Sequence, residues 1–362
     1  MQLVVRSEMT RSLPILIGIF VVMALSNAVV PVLPDFAEGS AMQGAVYAAY
    51  FFGVFVMVLP AGMASDRIGR VPLIHAGLLL TLASGVLILL YPFGLPLLVF
   101  RGIEGLGAGL AFSAALAWAN SHPSAWISGY VMAAQNLGLV AGLLATGWLA
   151  VATGSHLAGI ALFTALTIPA LVMSVTIRES KHEGFMEADL LTIVRDYFRL
   201  FVAAAILIGM TGAIAAIYPG YTGGDPSLLA LQLATINIAT VATVLIAPRI
   251  SLRPVPTIQI SSVLMVGAVL SSYFTPYALP VIGGLAGVII AATLAFLAET
   301  RIQQGAMAGL FNTATYAGFT FLAAFAGLVA GMFSFLSAFI LLAGMAGMMV
   351  LAVSGCWCRY HG

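Results

Sequence analysis

The sequence predicts an all-α integral membrane protein with twelve transmembrane helices. Hydrophobic residues make up 62% of the chain and charged residues only 7%, against roughly 45–50% and 25% in soluble proteins. A soluble chain of 362 residues needs a charged exterior, and this one has too few charges to cover it. The apolar runs are continuous rather than alternating, which favours helices over a barrel, because a helix satisfies its own backbone hydrogen bonds in lipid.

Twelve segments of the chain have the ~20 apolar residues that a helix needs to cross the hydrocarbon core of a bilayer. The predicted spans are residues 12–34, 42–64, 72–91, 96–119, 126–151, 156–177, 198–219, 226–247, 254–274, 277–299, 304–328 and 332–355. The basic N-terminus and the apolar run after it lack a small-residue cleavage site, so we interpret them as the first span rather than a signal peptide. Very short loops after the third and ninth spans predict antiparallel helical hairpins.

The charges predict the orientation of the chain in the membrane. Threaded through twelve spans, every Lys and Arg falls on one side of the membrane except Arg101, whereas the loops of the other side carry only Asp35, Glu38 and Asp225. Basic residues collect in cytoplasmic loops. We call these two sides the basic side and the acidic side, and we expect a cell (plasma) membrane protein with both termini in the cytoplasm.

A short internal repeat predicts two six-helix halves. Small and amide residues recur at offsets 0, 7 and 13 of the fifth and eleventh spans, and paired repeats are common in membrane transporters. The recurring residues are Gly129, Asn136 and Gly142, and Gly305, Asn312 and Gly318. The predicted organisation is an N-terminal half over 1–177, a cytoplasmic linker over 178–197 and a C-terminal half over 198–362.

One stretch, GMASDRIGR, concentrates charge between the second and third spans. It places three charged residues within five positions, although residues 39–65 and 71–100 have none. Its spacing is G-x-x-x-D-R-x-G-R, carried by Gly62, Asp66, Arg67, Gly69 and Arg70. This spacing and location resemble the signature loop of the major facilitator superfamily. The signature usually has another basic residue where this chain has a valine.

Two weaker resemblances lie in the fourth and fifth spans. RGIEGLGAG is similar to the R-x-x-q-G motif of the same superfamily, with Glu104 where glutamine is common. GLVAGLLATG has the glycines of the superfamily's antiporter motif, at Gly138, Gly142 and Gly147, but lacks its central proline. The resemblance covers the whole chain in topology and is most specific at residues 62–70.

The signature loop has an expected physical role. Gly62 should let a neighbouring helix approach, and Gly69 should permit a tight reversal. Asp66 is placed to face the positive N-terminal end of a neighbouring helix, while Arg67 and Arg70 hold the basic side by pairing with acids or lipid phosphates. The resemblance implies that the two halves meet here, so the loop would be a conformational latch. The alternative is a topology anchor.

The same resemblance implies a central cavity between the halves, lined by spans one, four, seven and ten with two, five, eight and eleven beside them. The polar candidates for this cavity are Asn27, Gln135, Asn136, Gln232, Asn237, Asn312 and Tyr316. Each amide has an alternative role, because Asn and Gln also join neighbouring membrane helices by hydrogen bonds.

Arg101 and Glu104 are the candidates for proton coupling. They are three residues apart, so they share a helix face, and charges inside a span are costly and functional by default. Arg101 is suited to bind an anionic group or to hold Glu104 ionised, and Glu104 to carry a proton. The alternative is a mutually neutralised structural pair. Asp35 is a reserve candidate nearer the acidic surface.

Several classes of function are excluded. A net charge of +1 gives no nucleic-acid footprint, and the chain has no G-x-x-x-x-G-K-[ST] loop for ATP. No clustered histidines or cysteines suggest a metal, and we interpret Cys356 and Cys358 as apolar or interfacial residues. No cofactor is expected.

The expected function is secondary active transport of a small organic solute by alternating access, by a monomer in contact with lipid. Proton-coupled export of an apolar or weakly polar compound fits the scarcity of charge among the cavity candidates. The alternatives are a proton-coupled uptake symporter for a sugar or organic anion, with Arg101 as the anion contact, and a non-transporting membrane sensor or assembly protein. A membrane enzyme would need a clustered acid–base or metal site.

Overall fold

The computed structural model describes residues 2–121, 126–177, 179, 190–247, 253–299 and 304–354, and over these residues the regular structure is helical. The helices are α1 Gln2–Ala28, α2 Gly39–Ile68, α3 Arg70–Leu90, α4 Gly94–Asn120, α5 Trp126–Thr153, α6 Ala158–Ser174, α7 Leu190–Thr222, α8 Pro226–Ile246, α9 Pro254–Phe274, α10 Leu279–Glu299, α11 Gln304–Met332 and α12 Phe335–Ser354. Each coincides with one predicted span. Eleven are long and apolar enough to cross a membrane, whereas α6 has 17 residues.

The acidic-side end of the first span is bent. After α1 ends at Ala28, the chain continues through a 3-10 turn at Val30–Val32 and a short helix at Leu33–Phe36. Pro31 lacks the N–H that a continuous helix would use, so the break at this position follows from the sequence.

The seventh helix starts earlier than the sequence predicted. Residues 190–197, which the sequence predicted as linker, belong to α7. The reason is helical spacing of apolar side chains: Ile193 and Leu200 are buried, and the Tyr197 ring lies 6.2 Å from that of Phe296. Residues 180–189, the rest of the charged linker, lie outside the described residues.

The chain divides into two compact units. Unit 1 comprises Met1–Phe36, Phe52–Met186 and Asp225–Ala230, and unit 2 comprises Ala37–Phe51, Glu187–Gly224 and Leu231–Gly362. These units differ from the predicted halves by two segments. The acidic-side part of α2 belongs to unit 2, and the first turn of α8 belongs to unit 1.

The internal repeat corresponds to equivalent packing within each unit. In unit 1, a Cβ atom at Gly142 of α5 would overlap the carbonyl of Ala24 in α1. In unit 2, a Cβ atom at Gly318 of α11 would overlap the carbonyl of Ala205 in α7. Both glycines are members of the repeat, and each lets two backbones approach more closely than a side chain would allow.

The acidic-side part of α2 packs tightly inside unit 2. A Cβ atom at Gly44 would lie 2.7 Å from the carbonyl oxygen of Ala323 and 2.9 Å from the Cα atom of Gly327. One turn earlier, the carbonyl oxygen of Ser40 would lie 2.6 Å from a Cβ atom at Gly327. Small residues on both helices therefore bring α2 and α11 into backbone contact.

Candidate functional site

The signature loop forms the tight reversal that the sequence predicted. Gly69 has φ +96°, in the left-handed region that favours glycine, and α3 begins at the next residue. Glu179 caps this helix. Its two carboxylate oxygens accept from the backbone N–H of Arg70 at 3.2 and 3.1 Å, and one also accepts from the N–H of Val71 at 3.0 Å. An anion here satisfies free N–H groups and complements the positive end of the helix.

A second contact joins α3 to the end of α6, close to Glu179 in the chain. Nε2 of His75 in α3 lies 2.9 Å from the carbonyl oxygen of Ser174, the last residue of α6. This hydrogen bond joins the basic-side ends of the two helices five residues before Glu179. Sequence reasoning missed this cap, because nothing local in the sequence connects positions that lie 109 residues apart.

The other latch candidates differ in their exposure and packing. Arg67 is exposed and Arg70 is buried. Asp66 lies in the last turn of α2, and its side chain is not among those that the structure describes. The expected close helix approach at Gly62 is wrong for the described part of the chain, because a Cβ atom there would meet none of its atoms within 4 Å. Gly62 therefore does not pack as Gly142 does.

Arg101 and Glu104, both on α4, form an ion pair that is buried in the protein. Nη1 of Arg101 donates to Oε2 of Glu104 at 2.6 Å, and the two side chains are 1% and 0% exposed. Nη2 of Arg101 donates to the carbonyl oxygen of Ser26 in α1 at 3.1 Å. The pair is compact and electrically neutral, and its arginine is already engaged on two sides.

Asp35, unlike Arg101 and Glu104, is exposed to solvent. Its carboxylate is 40% exposed and lies 3.0 Å from Nδ1 of His156, which is 45% exposed. The contact connects the acidic-side end of the first span to the loop between α5 and α6. An exposed contact of this kind contributes little stability, and the role of Asp35 in proton coupling stays a prediction.

The amide candidates of unit 1 are engaged within the protein. Asn27, buried in α1, donates from Nδ2 to the carbonyl oxygen of Leu139 in α5 at 3.1 Å. Asn136 donates to the carbonyl oxygen of Met132, one turn earlier in the same helix, at 2.8 Å. Gln135 is half-buried and also has a contact within the protein. Each of the three thus has an interaction within the protein, and their role in a cavity stays a prediction.

The amide candidates of unit 2 differ. Gln232 and Asn237 in α8 and Asn312 in α11 are half-buried, and their side chains make no hydrogen bond to any residue that the structure describes. Tyr316 is 7% exposed and lies one turn after Asn312. Six of the seven predicted cavity residues are amides: the three of unit 1 have interactions within the protein, and the three of unit 2 have no hydrogen bond to a described residue.

Tyr316 belongs to an aromatic cluster that the sequence did not predict, formed by Tyr47, Tyr50, Phe51, Tyr316 and Phe319. The ring of Phe51 stacks on that of Tyr316 at 6.2 Å and lies 4.9 Å from that of Phe319. Tyr47 and Tyr50 contact the other side of Phe51 at 4.9 and 5.0 Å. The cluster joins the acidic-side part of α2 to α11 within unit 2.

Across the residues that the structure describes, no group of three His, Cys, Asp or Glu side chains is arranged to hold a metal ion. Cys356 and Cys358 lie outside that part of the chain. The described candidates are therefore one buried ion pair in unit 1 and, separately, three amides and an aromatic cluster in unit 2.

Comparison with known proteins identifies the family to which this architecture belongs. The family model of the Major Facilitator Superfamily matches residues 15–300. Among curated proteins, none matches the chain significantly.

Solved structures share the fold over nearly the whole chain at low sequence identity. The crystal structure of the nucleoside transporter NupG has a TM-score of 0.74 at 12% identity and covers 95% of this chain and 99% of its own. The human organic anion transporter MFSD10 (TETRAN) has a TM-score of 0.69 at 15% identity, with coverage of 95% and 99%. The POT family transporter PepTSo has a TM-score of 0.76 at 12% identity, with coverage of 97% and 98%.

The family match covers most of the chain, and the helices, their order and the signature loop agree with it. The chain belongs to the major facilitator superfamily and is a multi-pass membrane protein that acts as a secondary transporter rather than as an enzyme.

Proposed function

We propose that the protein exports a neutral, apolar or weakly polar solute in exchange for protons, by alternating access. The observation that carries this proposal is the buried Arg101–Glu104 pair. Of the charged side chains that the structure describes in unit 1, these two alone lie in the interior of a span. Because they neutralise each other, they offer no net charge to attract an ionic solute.

The pair has the property that proton coupling requires. Protonation of Glu104 would leave the Arg101 guanidinium as an uncompensated charge in a buried site, which is strongly unfavourable. Proton uptake must therefore be accompanied by the approach of water, solute or another polar group to Arg101. Such a requirement connects the protonation state to the conformation of the transporter.

The rival function is uptake of an organic anion that binds Arg101. This arginine is 1% exposed and already donates to Glu104 and to the Ser26 carbonyl. An anion would have to displace both partners, so the structure supports a neutral solute better. Sugar uptake remains the neutral form of the same alternative, and the direction of proton movement distinguishes it from export.

The test uses proteoliposomes that contain the purified protein and the trapped pH indicator pyranine. We expect neutral aromatic amides, added against an imposed pH gradient, to cause proton movement in the opposite direction. Hexoses and benzoate, added in parallel, should cause none. Co-directional proton movement with a hexose or with benzoate would establish the uptake alternative instead.

The variant Glu104→Gln keeps the shape of the side chain and removes its ability to exchange a proton. Gradient-driven transport should be lost, whereas downhill exchange of the same solute should persist. Gradient-driven transport at the wild-type rate in Glu104→Gln would reduce the Arg101–Glu104 pair to a structural element.

We also propose that the basic side faces the cytoplasm, with both termini there, and that the membrane is the plasma membrane. The support is the positive charge collected on that side. In a variant without Cys356 and Cys358, Glu38→Cys should react with an impermeant thiol reagent in intact cells, and Ile68→Cys only after permeabilisation. The reverse pattern would invert the topology.

A further inference from the structure

The membrane-embedded amides of the two units differ in their hydrogen bonding. In unit 1, Asn136 is hydrogen-bonded within its own helix. In unit 2, the corresponding residue of the internal repeat, Asn312, has no hydrogen-bond partner among the described residues. An unpaired amide within a membrane protein costs free energy unless water or a solute satisfies it. The asymmetry therefore indicates that Asn312 serves a group that is not part of the chain.

The surroundings of Asn312 indicate the shape of that group. Asn312, Tyr316 and Phe319 follow one another at helical spacing, so they lie on one face of α11. The rings of Tyr316 and Phe319 are 6.1 Å apart, and both contact Phe51. The amide thus lies about 6 Å along the helix axis from a set of aromatic rings.

The same face of α11 changes in exposure along the helix. Towards the acidic side, Ala323 and Ala326 are fully buried and Ala330 is 8% exposed. Towards the basic side, Asn312 is half-exposed. The aromatic cluster marks the boundary, and Asn312 lies one turn beyond Tyr316 towards the basic side. A solute that reached this face from the basic side would meet the amide first and the rings next.

We propose that unit 2 holds a substrate-binding subsite formed by the Asn312 amide and the aromatic surface of Tyr316, and that it takes a neutral solute with a flat aromatic ring and a carboxamide-like edge. This rests on the proposed transport function and specifies the class of substrate. A carboxamide offers both a donor and an acceptor, which complement those of Asn312, and aromatic rings pair by stacking or edge contacts.

Charge within unit 2 agrees with a neutral substrate. The charged side chains that the structure describes there stand at helix ends or in the basic-side turns of α7. They are Glu38, Arg195, Asp196, Arg199 and Arg253. None shares the face of Asn312, so recognition there depends on hydrogen bonding and ring contact rather than on charge.

The first test measures equilibrium binding of tritiated chloramphenicol, a neutral aromatic amide with two hydroxyls, to the full-length protein in nanodiscs. We expect saturable binding to the wild type and about tenfold weaker binding in Asn312→Ala, the loss of one hydrogen bond to a neutral group. Tyr316→Ala should weaken binding similarly, and Tyr316→Phe should restore most of that loss because it keeps the ring. No saturable binding to the wild type would overturn the substrate class.

The matched control is Asn120→Ala, in which the amide removed is one that already accepts a hydrogen bond from Oγ of Ser128 at 2.6 Å. Its affinity for chloramphenicol should stay within about twofold of the wild type. An equal loss in Asn120→Ala and Asn312→Ala, or no loss in either, would overturn the assignment of the subsite to unit 2.

A structural role for Asn312 gives a different signature. Because the amide has no partner among the described residues, Asn312→Ala should leave the melting temperature of the ligand-free protein unchanged. A decrease of several degrees would show that the amide supports the fold and would overturn the proposal.

Failure of the subsite and failure of the transport function are separable in proteoliposomes. Binding without gradient-driven movement of chloramphenicol would contradict proton-coupled export and leave the subsite intact. Gradient-driven movement that is unaffected by Asn312→Ala would contradict the subsite and leave the function intact.

Discussion

At the scale of single residues, the partner of a polar side chain decides its role in this membrane protein. Arg101 would be prohibitively costly in a span by itself, yet Glu104 and the Ser26 carbonyl enclose it. Asn136 and Asn312 occupy equivalent repeat positions and have opposite hydrogen-bond status. Residue type alone does not distinguish a structural amide from one available to a solute.

The Arg101–Glu104 pair leads to a stability prediction. Glu104→Ala would leave a buried guanidinium without its counter-charge, and breaking a buried pair in this way costs about 3–5 kcal/mol. Glu104→Gln retains a hydrogen-bond acceptor beside Arg101, so its loss should be smaller. The thermal stability of the purified variants checks the order. Equal melting temperatures for Glu104→Ala and the wild type would contradict the geometry of the pair.

At the scale of elements, the start of α3 depends on a residue far away in the chain. Glu179 supplies the carboxylate that local sequence would ordinarily place at the helix N-cap. Gly69 provides the left-handed turn but has no side chain to cap the helix. Glu179 of the predicted linker is therefore hydrogen-bonded to the signature loop and to the start of α3.

Removing the cap should weaken this element. Glu179→Ala should lower the free energy of unfolding by about 1 kcal/mol, the usual cost of a lost N-cap, and should speed amide hydrogen exchange at residues 70 and 71. Glu179→Gln can still accept hydrogen bonds, so its stability and exchange rate should lie between those of the wild type and of Glu179→Ala. Unchanged exchange in Glu179→Ala would show that the carboxylate does not cap α3 in solution.

The packing of α5 on α1 gives a second prediction at this scale. Gly142→Leu would force the side chain into the backbone of α1 at Ala24, so we expect a large loss of folded protein in fluorescence-detected size-exclusion chromatography. Gly344→Leu is the matched control, because a Cβ atom at Gly344 has no atom within 4 Å. A normal yield of Gly142→Leu alongside Gly344→Leu would contradict the close approach.

At the scale of the whole molecule, α2 and α8 are each divided between the two units. The acidic-side part of α2 packs with unit 2 at Gly44 and Gly327, and its basic-side part belongs to unit 1. The two parts of α2 therefore belong to different units. We propose that this α2–α11 contact opens and closes during transport.

A disulfide across the contact tests this proposal. A Cβ atom at Gly331 would lie 3.2 Å from that of Ala41, close to the roughly 3.5–4.5 Å between the Cβ atoms of a disulfide. Oxidised Ala41→Cys/Gly331→Cys protein should stop transporting and should recover on reduction. The single variants serve as controls. Transport at the wild-type rate in the fully crosslinked protein would show that the contact stays closed throughout the cycle.

The sequence by itself determined the membrane class, the twelve spans and the superfamily. These follow from local properties: runs of apolar residues of bilayer length, prolines and glycines between them, and the spacing of charges at residues 62–70. The bend at Pro31 and the turn at Gly69 were equally local, because each depends on the backbone of one residue. The spacing of Arg101 and Glu104 also predicted their contact, since residues three apart share a helix face.

Only the tertiary structure decided which polar groups have partners. The cap from Glu179, the bond from Asn27 to Leu139 and the contact of Phe51 with Tyr316 join positions more than a hundred residues apart. The division of α2 between two units likewise depends on neighbours that α2 does not encode. A sequence pattern determines which face of a helix is apolar or polar, but the packing of the helices determines what meets that face.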